Sequence, residues 1–211
     1  MTILYAIIFL YCLVIASLSY GFTKIKKYQS SELPPKTRFT IVVPFRNEVE
    51  NLPILLKSIS ALNYPIEFFE VILVDDDSEE SFCILSQKFN IQIMKNIRVS
   101  NSPKKDAIST AMRHVKTNWV ITTDADCMVP PNWLLLYHQF IEKNKPVFVA
   151  APVMFIEAPG ILNHFQVLDF LALQGITAAA VGAGKHSMSN GANLAFEKSA
   201  FIAVGGYQGV D

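Results

Sequence analysis

The sequence predicts an α/β domain, with a mostly parallel sheet flanked by helices, preceded by one N-terminal transmembrane helix. Three observations carry this expectation. From residue 39 onward, short apolar β-type runs alternate with segments of helical periodicity, which implies parallel strands joined by right-handed crossovers and covered on both faces. Polar clusters follow several of those runs, at the strand ends where open α/β sheets bind ligands. Ile3 to Phe22 contains no charged residue, and at the helical rise that run spans about 30 Å, the thickness of a bilayer core.

The apolar N-terminus has no basic region before it and is longer than the hydrophobic part of a signal peptide, so it reads as an uncleaved anchor over residues 1–23. Lys24, Lys26, Lys27, Lys36 and Arg38 follow it. The positive-inside rule then puts the remainder of the chain in the cytoplasm, as a single-pass protein of the cell membrane. Residues 24–37 are basic and Pro-containing and read as a linker that lets the domain at 38–211 stand off the bilayer. The chain has 211 residues, 51% of them hydrophobic, enough for one sizeable core. Its 18 basic and 18 acidic residues cancel, so no net field argues for nucleic acid. Cys12, Cys83 and Cys127 are too widely spaced for a disulfide framework or a metal motif and are expected to be buried or idle.

Taken in order, Phe39-Thr40-Ile41-Val42-Val43 reads as a buried strand ended by Pro44, with the polar loop Arg46-Asn47-Glu48 after it. Leu52, Leu55, Leu56, Ile59 and Leu62 recur at helical spacing up to the stop Asn63-Tyr64-Pro65. Val71-Ile72-Leu73-Val74 is a second strand, running into Asp75-Asp76-Asp77-Ser78. Phe82, Leu85 and Phe89 suggest a helix, and Ile91 to Met94 a short strand. Pro103 opens the next helix, with Ala107, Ile108, Ala111, Met112 and Val115 on one face. The central strand, Trp119 to Thr123, leads into Asp124-Ala125-Asp126, a Pro130-Pro131 breaker and a new apolar-periodic segment. Ile161 to Val181 is apolar but interrupted by Asn163, His164, Gln166, Asp169 and Gln174. Those groups make an amphipathic helix, at the membrane surface or over an acceptor site, the better expectation than a second span. His114, His138, His164 and Asp169 receive no role.

Alternate residues of an extended chain point the same way, so Asp124 and Asp126 can converge into a hard-oxygen site for Mg²⁺ or Mn²⁺. An isolated Asp-x-Asp is equally a solvated turn. Here it is one of three polar clusters at one sheet edge, with Arg46-Asn47-Glu48 and Asp75-Asp76, and that coincidence argues for a site. No Gly-x-Gly-x-x-Gly follows the first strand and there is no Walker sequence, so dinucleotide and P-loop chemistry lack support.

Six segments in order resemble one family. Pro44-Phe45-Arg46-Asn47-Glu48 is similar to an opening Pro-x-x-Asn-Glu, and Asp75-Asp76-Asp77-Ser78 to Asp-Asp-Gly-Ser. Pro103-Lys104-Lys105-Asp106-Ala107 is similar to Gly-Lys-x-x-Ala, and Thr123-Asp124-Ala125-Asp126 to a metal-binding Asp-x-Asp. Asn190 to Phe196 and Val204-Gly205-Gly206-Tyr207 resemble the acceptor-side segments. Together they resemble the membrane-associated, inverting members of glycosyltransferase family 2, which have a GT-A fold. The resemblance implies that Asp75 and Asp76, with Glu48 nearby, bind the uracil and ribose of a UDP-linked nucleotide sugar, with Pro44 and Asn47 on the same donor side. It implies Lys104 near the nucleotide, Asp126 as ligand to Mg²⁺ or Mn²⁺, and Asp124 on the ribose or the metal's water shell. Gly191 and Asn193 fall on the acceptor side, and the acceptor would be a lipid-linked molecule or a glycan at the membrane. Asp77 and Pro103 stand where the family has glycine.

The resemblance also implies a general base, an Asp in an acidic pair somewhat after the Gly-Gly-Tyr segment, with Gln-x-x-Arg-Trp further on in processive members. Neither is in the sequence, and Asp211 lies too close to Tyr207 for the family spacing. The expectation is a fragment of a longer enzyme, with a donor half to about residue 130 and an incomplete acceptor half at 131–211. The alternatives are a nucleotide-binding module without turnover, and a nucleotidyltransferase, whose Gly-rich loop after the first strand is lacking.

Overall fold

The computed structural model describes residues 1–25, 28, 33–79, 88–156, 159–185 and 188–209. The chain divides into two compact units, one made of Met1–Gln29 and Pro152–Asn190, the other of Ser30–Ala151 and Gly191–Asp211.

The second unit is built on a six-stranded sheet in the order β3-β2-β1-β4-β6-β5. β1 (Phe39–Phe45), β2 (Phe69–Asp75), β3 (Asn90–Lys95) and β4 (Trp119–Thr122) run parallel. β6 (Leu194–Glu197) lies antiparallel between β4 and the three-residue β5 (Phe148–Ala150). The helices are α2 (Asn51–Ser60), α3 (Pro103–Met112), α4 (Trp133–Asn144) and the short α6 (Lys198–Ala203).

Alternation along the strands sorts the core into two layers. Ile41, Val43, Val71, Leu73 and Ile121 pack with Leu55 and Ile59 of α2 and Leu134 and Tyr137 of α4. Val42, Ile72, Val74 and Val120 pack with Ala107, Ile108 and Ala111 of α3. The buried face of α3 is therefore the one its periodicity predicts.

β1 does not stop at Pro44 but continues through it to Phe45. β4 pairs with β1 only as far as Val42↔Thr122, and the backbone of residue 44 points to the side that β4 has already left, since Val42 O accepts from Thr123 N there while Phe45 O accepts from Asp76 N on the other side. Proline's missing N–H therefore faces no ladder partner. β5 and β6 were not anticipated as strands, because three or four residues are too few for a periodicity to show. Of the helix expected at Phe82, Leu85 and Phe89, only Phe89 is among the described residues; it is buried, its ring 5.4 Å from that of Phe69. Cys83 also lies outside them.

Pro34 to Thr37, in the stretch expected as linker, are fastened to α4. The His138 ring is fully buried, with Nε2 2.8 Å from the Pro34 carbonyl oxygen and Nδ1 2.8 Å from Thr37 Oγ1. A carbonyl only accepts, so Nε2 carries the proton and Nδ1 accepts from the hydroxyl. Tyr64 OH donates to the Thr37 carbonyl at 2.7 Å, and Lys36 pairs with Glu142 at 2.9 Å.

The first unit contains α1 (Thr2–Thr23) and α5 (Ile161–Gly182), both long and apolar enough to cross a membrane. Of α1 only Gly21 is buried, and Cys12 is exposed. The two helices approach closely through backbone at Gly21 and Gly182. A Cβ on Gly21 would collide with the Ala179 carbonyl oxygen, and one on Gly182 with the Gly21 carbonyl oxygen.

Candidate functional site

All three sequence-predicted polar clusters follow parallel strands β1, β2 and β4 and so meet at one edge of the sheet. The loops after β1 and β2 are laced together. Asn47 N donates to Ser78 Oγ at 3.0 Å, Glu79 N donates to Asn47 Oδ1 at 2.9 Å, and Ser78 N donates to Asp75 Oδ1 at 3.0 Å. Asn47 and Asp77 both have left-handed backbone, φ 55° and 64°, conformations that Asn and Asp tolerate better than other side chains. Asp77 thus occupies the kind of position that favours the family's glycine. Glu48 accepts from Asn51 Nδ2 at 2.7 Å at the start of α2. Pro44 contributes backbone within β1.

Asp76 is buried and held by two partners from the loop after β3. Asn96 Nδ2 donates to Oδ1 at 2.7 Å, and Arg98 donates from Nε to Oδ1 at 2.7 Å and from a terminal nitrogen to Oδ2. The Arg98 guanidinium, ahead of Asn96, keeps the Asp76 carboxyl below the usual carboxylate range against the opposing effect of burial. These residues line a cleft of about 250 Å³ with Asp75, Asp77 and Lys95. The next stretch is positioned by Asp106, whose carboxylate accepts from Val99 N at 2.9 Å, Ser100 N at 2.8 Å and Ser100 Oγ at 3.0 Å. Those bonds shape the loop that delivers Pro103 to the first turn of α3.

From that first turn Lys104 reaches across to Asp124, and its ammonium pairs with Asp124 Oδ1. Both side chains stay partly exposed. Gly191 lies against this pair, since a Cβ there would meet Lys104 Nζ at 3.3 Å and Cε at 3.5 Å. Its carbonyl accepts from Thr122 Oγ1 at 2.8 Å, which ties it to the end of β4. Asp126 is exposed on the turn closed by Cys127 N to Asp124 O at 3.2 Å. Burial pushes the Cys127 thiol up, so it is not an activated nucleophile.

Lys104, Asp124 and Gly191 are therefore brought together, as are Asp76, Asn96 and Arg98. Asn193 is turned the other way: its Oδ1 accepts from Trp133 Nε1 at 2.9 Å and from Tyr137 OH at 2.8 Å, which joins the start of β6 to α4. Asn96, Arg98 and Asp106 were missed by sequence reasoning. Asn96 and Arg98 directly follow β3, so the strand-end rule that found the other clusters points to them too.

Among the described residues no group of three or more His, Cys, Asp or Glu gathers around a metal position. The donor set nonetheless fits Mg²⁺ or Mn²⁺, which commonly take one or two carboxylates and complete their shells with water and substrate phosphate. Asp126 is the exposed carboxylate of the two and Asp124 the one already neutralised by Lys104.

A parallel sheet with an antiparallel strand inserted beside its central strand, and acidic loops at one edge, defines a GT-A-type fold. The family model for glycosyl transferase family 2 matches residues 40–205, and the chain belongs to that family. Among solved structures, the mannosyltransferase PcManGT from Pyrobaculum calidifontis, in complex with GDP-Man and Mn²⁺, is similar with TM-score 0.65 and 19% identity, over 94% of this chain and 57% of its own. S. aureus TarS 1-349 in complex with UDP-GlcNAc is similar with TM-score 0.50 and 21% identity, over 59% of this chain and 37% of its own. The chain thus spans little more than half the length of the first and about a third of the second.

Proposed function

We propose that the second unit binds a nucleotide-diphospho-sugar, and that the protein transfers the sugar with inversion to a lipid-linked or polysaccharide acceptor at the cytoplasmic face of the membrane. The observation that carries this reading is the Lys104–Asp124 pair against Gly191, beside the exposed Asp126. A partly exposed ammonium paired with the first carboxylate of an Asp-x-Asp suits a ligand that brings its own negative charge. Lys104 would move from Asp124 onto the diphosphate, and Asp124 would be freed for the ribose or for water on the metal. Asp126, with Asp124, would hold Mg²⁺ or Mn²⁺, whose charge neutralises the diphosphate as it leaves.

The cleft at Asp75, Asp76 and Arg98 is assigned to the nucleobase and ribose. Asp76 arrives there already ionised and oriented by Arg98 and Asn96, so one acceptor position, on Oδ2, is left for a donor N–H or O–H group. Asn47 and Glu48 border the same side. UDP is the nucleotide the family resemblance favours. No described residue is assigned as the base for the acceptor hydroxyl, and Asp211 lies outside the described residues.

Membrane attachment is supported by α1, whose C-terminal end carries Lys24 stacked 4.7 Å from the Tyr20 ring centre, a pairing suited to the membrane–water boundary. The basic residues after it support a cytoplasmic domain.

Calorimetric titration of the whole chain in detergent micelles with UDP and GDP, with and without Mn²⁺, tests the donor site. Metal-dependent binding that Asp126→Ala weakens at least tenfold is the expected result. A folded protein that binds neither nucleotide overturns the proposal, and metal-dependent binding without sugar transfer favours a donor-binding module.

A further inference from the structure

α5 is enclosed by the sheet in sequence. β5 ends at Ala150, β6 begins at Leu194, these two residues are register partners, and Ala151 N donates to Asn193 O at 3.0 Å. The segment 152–190 therefore leaves the sheet and returns to it at one place. A sheet lies in water on one side of a bilayer, so whatever intervenes must cross an even number of times. α5 is the only helix in that segment, among the described residues, long and apolar enough to cross. The residues after it, 183–190, would reach only about 28 Å even if fully extended, with every amide unpaired in hydrocarbon. α5 therefore does not span.

Its surface is nevertheless that of a lipid-facing helix. Leu162, Phe165 and Leu168 are 71%, 64% and 67% exposed, and Ile161 and Ile176 extend the same face. Met154, Phe155 and Ile156, just before it, are exposed too, and the Phe155 ring packs on Phe170 at 4.6 Å. Asn163, His164, Gln166 and Asp169 share the first turns; in a spanning helix Asp169 would sit about 12 Å deep, near the bilayer centre.

The contact with α1 sets the level at which α5 lies. The close backbone approach is at the end of α1: Gly21 touches Ala179 and Gly182, one residue from Tyr20, which carries Lys24 on its ring. Small residues at that point let the two backbones meet.

We propose that residues 152–156 and 159–185 form a bilayer-surface module, with α5 lying in the headgroup region of the leaflet that α1 exits and clamped to the anchor through Gly21 and Gly182. Its partner is the lipid surface. This rests on the reading of α1 as a membrane anchor.

The test is spin-label depth measurement on the whole chain in phosphatidylcholine–phosphatidylglycerol vesicles. In a background of Cys12→Ala, Cys83→Ala and Cys127→Ala, labels are placed singly by Ile8→Cys in α1 and by Leu162→Cys, Phe165→Cys, Leu168→Cys and Leu173→Cys in α5. The expected result is a deep label at position 8 and shallow labels along α5, about 5–10 Å below the phosphates, with no trend along the helix. Depth that rises to a maximum in mid-helix overturns the proposal in favour of a span. Aqueous exposure of all α5 labels while the label at 8 stays deep overturns it in favour of a water-facing helix. An aqueous label at position 8 overturns the anchor reading instead. Gly182→Leu should raise the aqueous accessibility of the α5 labels severalfold and leave position 8 unchanged; no effect on α5 overturns the clamp.

Discussion

Arg98 holds the Asp76 carboxylate from both oxygens, with Nε on Oδ1 at 2.7 Å and a terminal nitrogen on Oδ2. The two residues come from different strand ends, Asp76 after β2 and Arg98 after β3, so the pairing exists only because β2 and β3 are parallel neighbours. The consequence is a buried carboxylate kept ionised and aimed into the cleft.

Arg98→Met should therefore weaken nucleoside diphosphate binding roughly tenfold, the worth of about one charge-assisted hydrogen bond. It should also raise the Asp76 pKa. A depressed carboxyl contributes stability that is complete above its unfolded value near 3.9 and is lost as pH falls through the folded value. In Arg98→Met that loss should still begin near the unfolded value but should be smaller and end at a higher pH. Calorimetry at pH 7 and denaturation curves between pH 2 and pH 6 check both parts.

Lys104→Met should separate phosphate from base recognition. Affinity for a nucleoside diphosphate should fall about tenfold or more, as expected when one cation is removed from a phosphate, while affinity for the bare nucleoside stays unchanged. Gly191→Val should act in the same direction by displacing Lys104, whose Nζ lies 3.3 Å from where a Cβ would be. Equal losses for nucleoside and diphosphate would exclude this role for Lys104.

Asn193→Ala should act mainly on stability. It strands the Trp133 Nε1 donor and leaves Tyr137 OH with only the Asn193 backbone carbonyl at 3.1 Å, at a cost of about 1–3 kcal/mol. Chemical denaturation measures it. An unchanged midpoint, with acceptor use lost, would make Asn193 a direct acceptor contact.

His138 should make the second unit acid-sensitive. Burial holds its pKa below the ordinary value, with Lys36 and Lys145 acting the same way and Glu142 and the Pro34 carbonyl opposing. The folded state resists the proton that the unfolded chain accepts below about pH 6.5, so stability is complete above that pH and declines as pH falls towards the folded value, by at most about 1.4 kcal/mol per pH unit. His138→Asn should be less stable at pH 8 and should lack that slope, as read from denaturation midpoints across pH 5–8.

Several elements were legible because each is written in neighbouring residues. The apolar runs at 39–43, 71–74 and 119–122 could only be buried strands, and the spacing of Leu52, Leu55, Leu56 and Ile59 could only be one face of a helix. Asp76 and Asp124 were found because a carboxylate just past a parallel strand has a predictable place. Pro44 misled, since whether proline ends a strand depends on where the neighbouring strand stops. Arg98 and Asp106 were passed over because isolated charges in a loop show no partner until the loop is folded. His138 looked like one more residue on a helix face, and only the return of residues 34–37 onto α4 makes it a buried hydrogen-bonded hub.

By itself the sequence determined the element types, the parallel character of the first four strands, the acidic edge and the apolar N-terminal helix, because periodicity, composition and strand-end position are local properties of the chain. Only the tertiary structure decided which charges meet: Arg98 with Asp76, and Lys104 with Asp124 against Gly191. It also decided that the chain leaves the sheet after Ala150 and re-enters it at Leu194 at one place, because strand order and the pairing of β5 with β6 bring together residues that no local pattern relates.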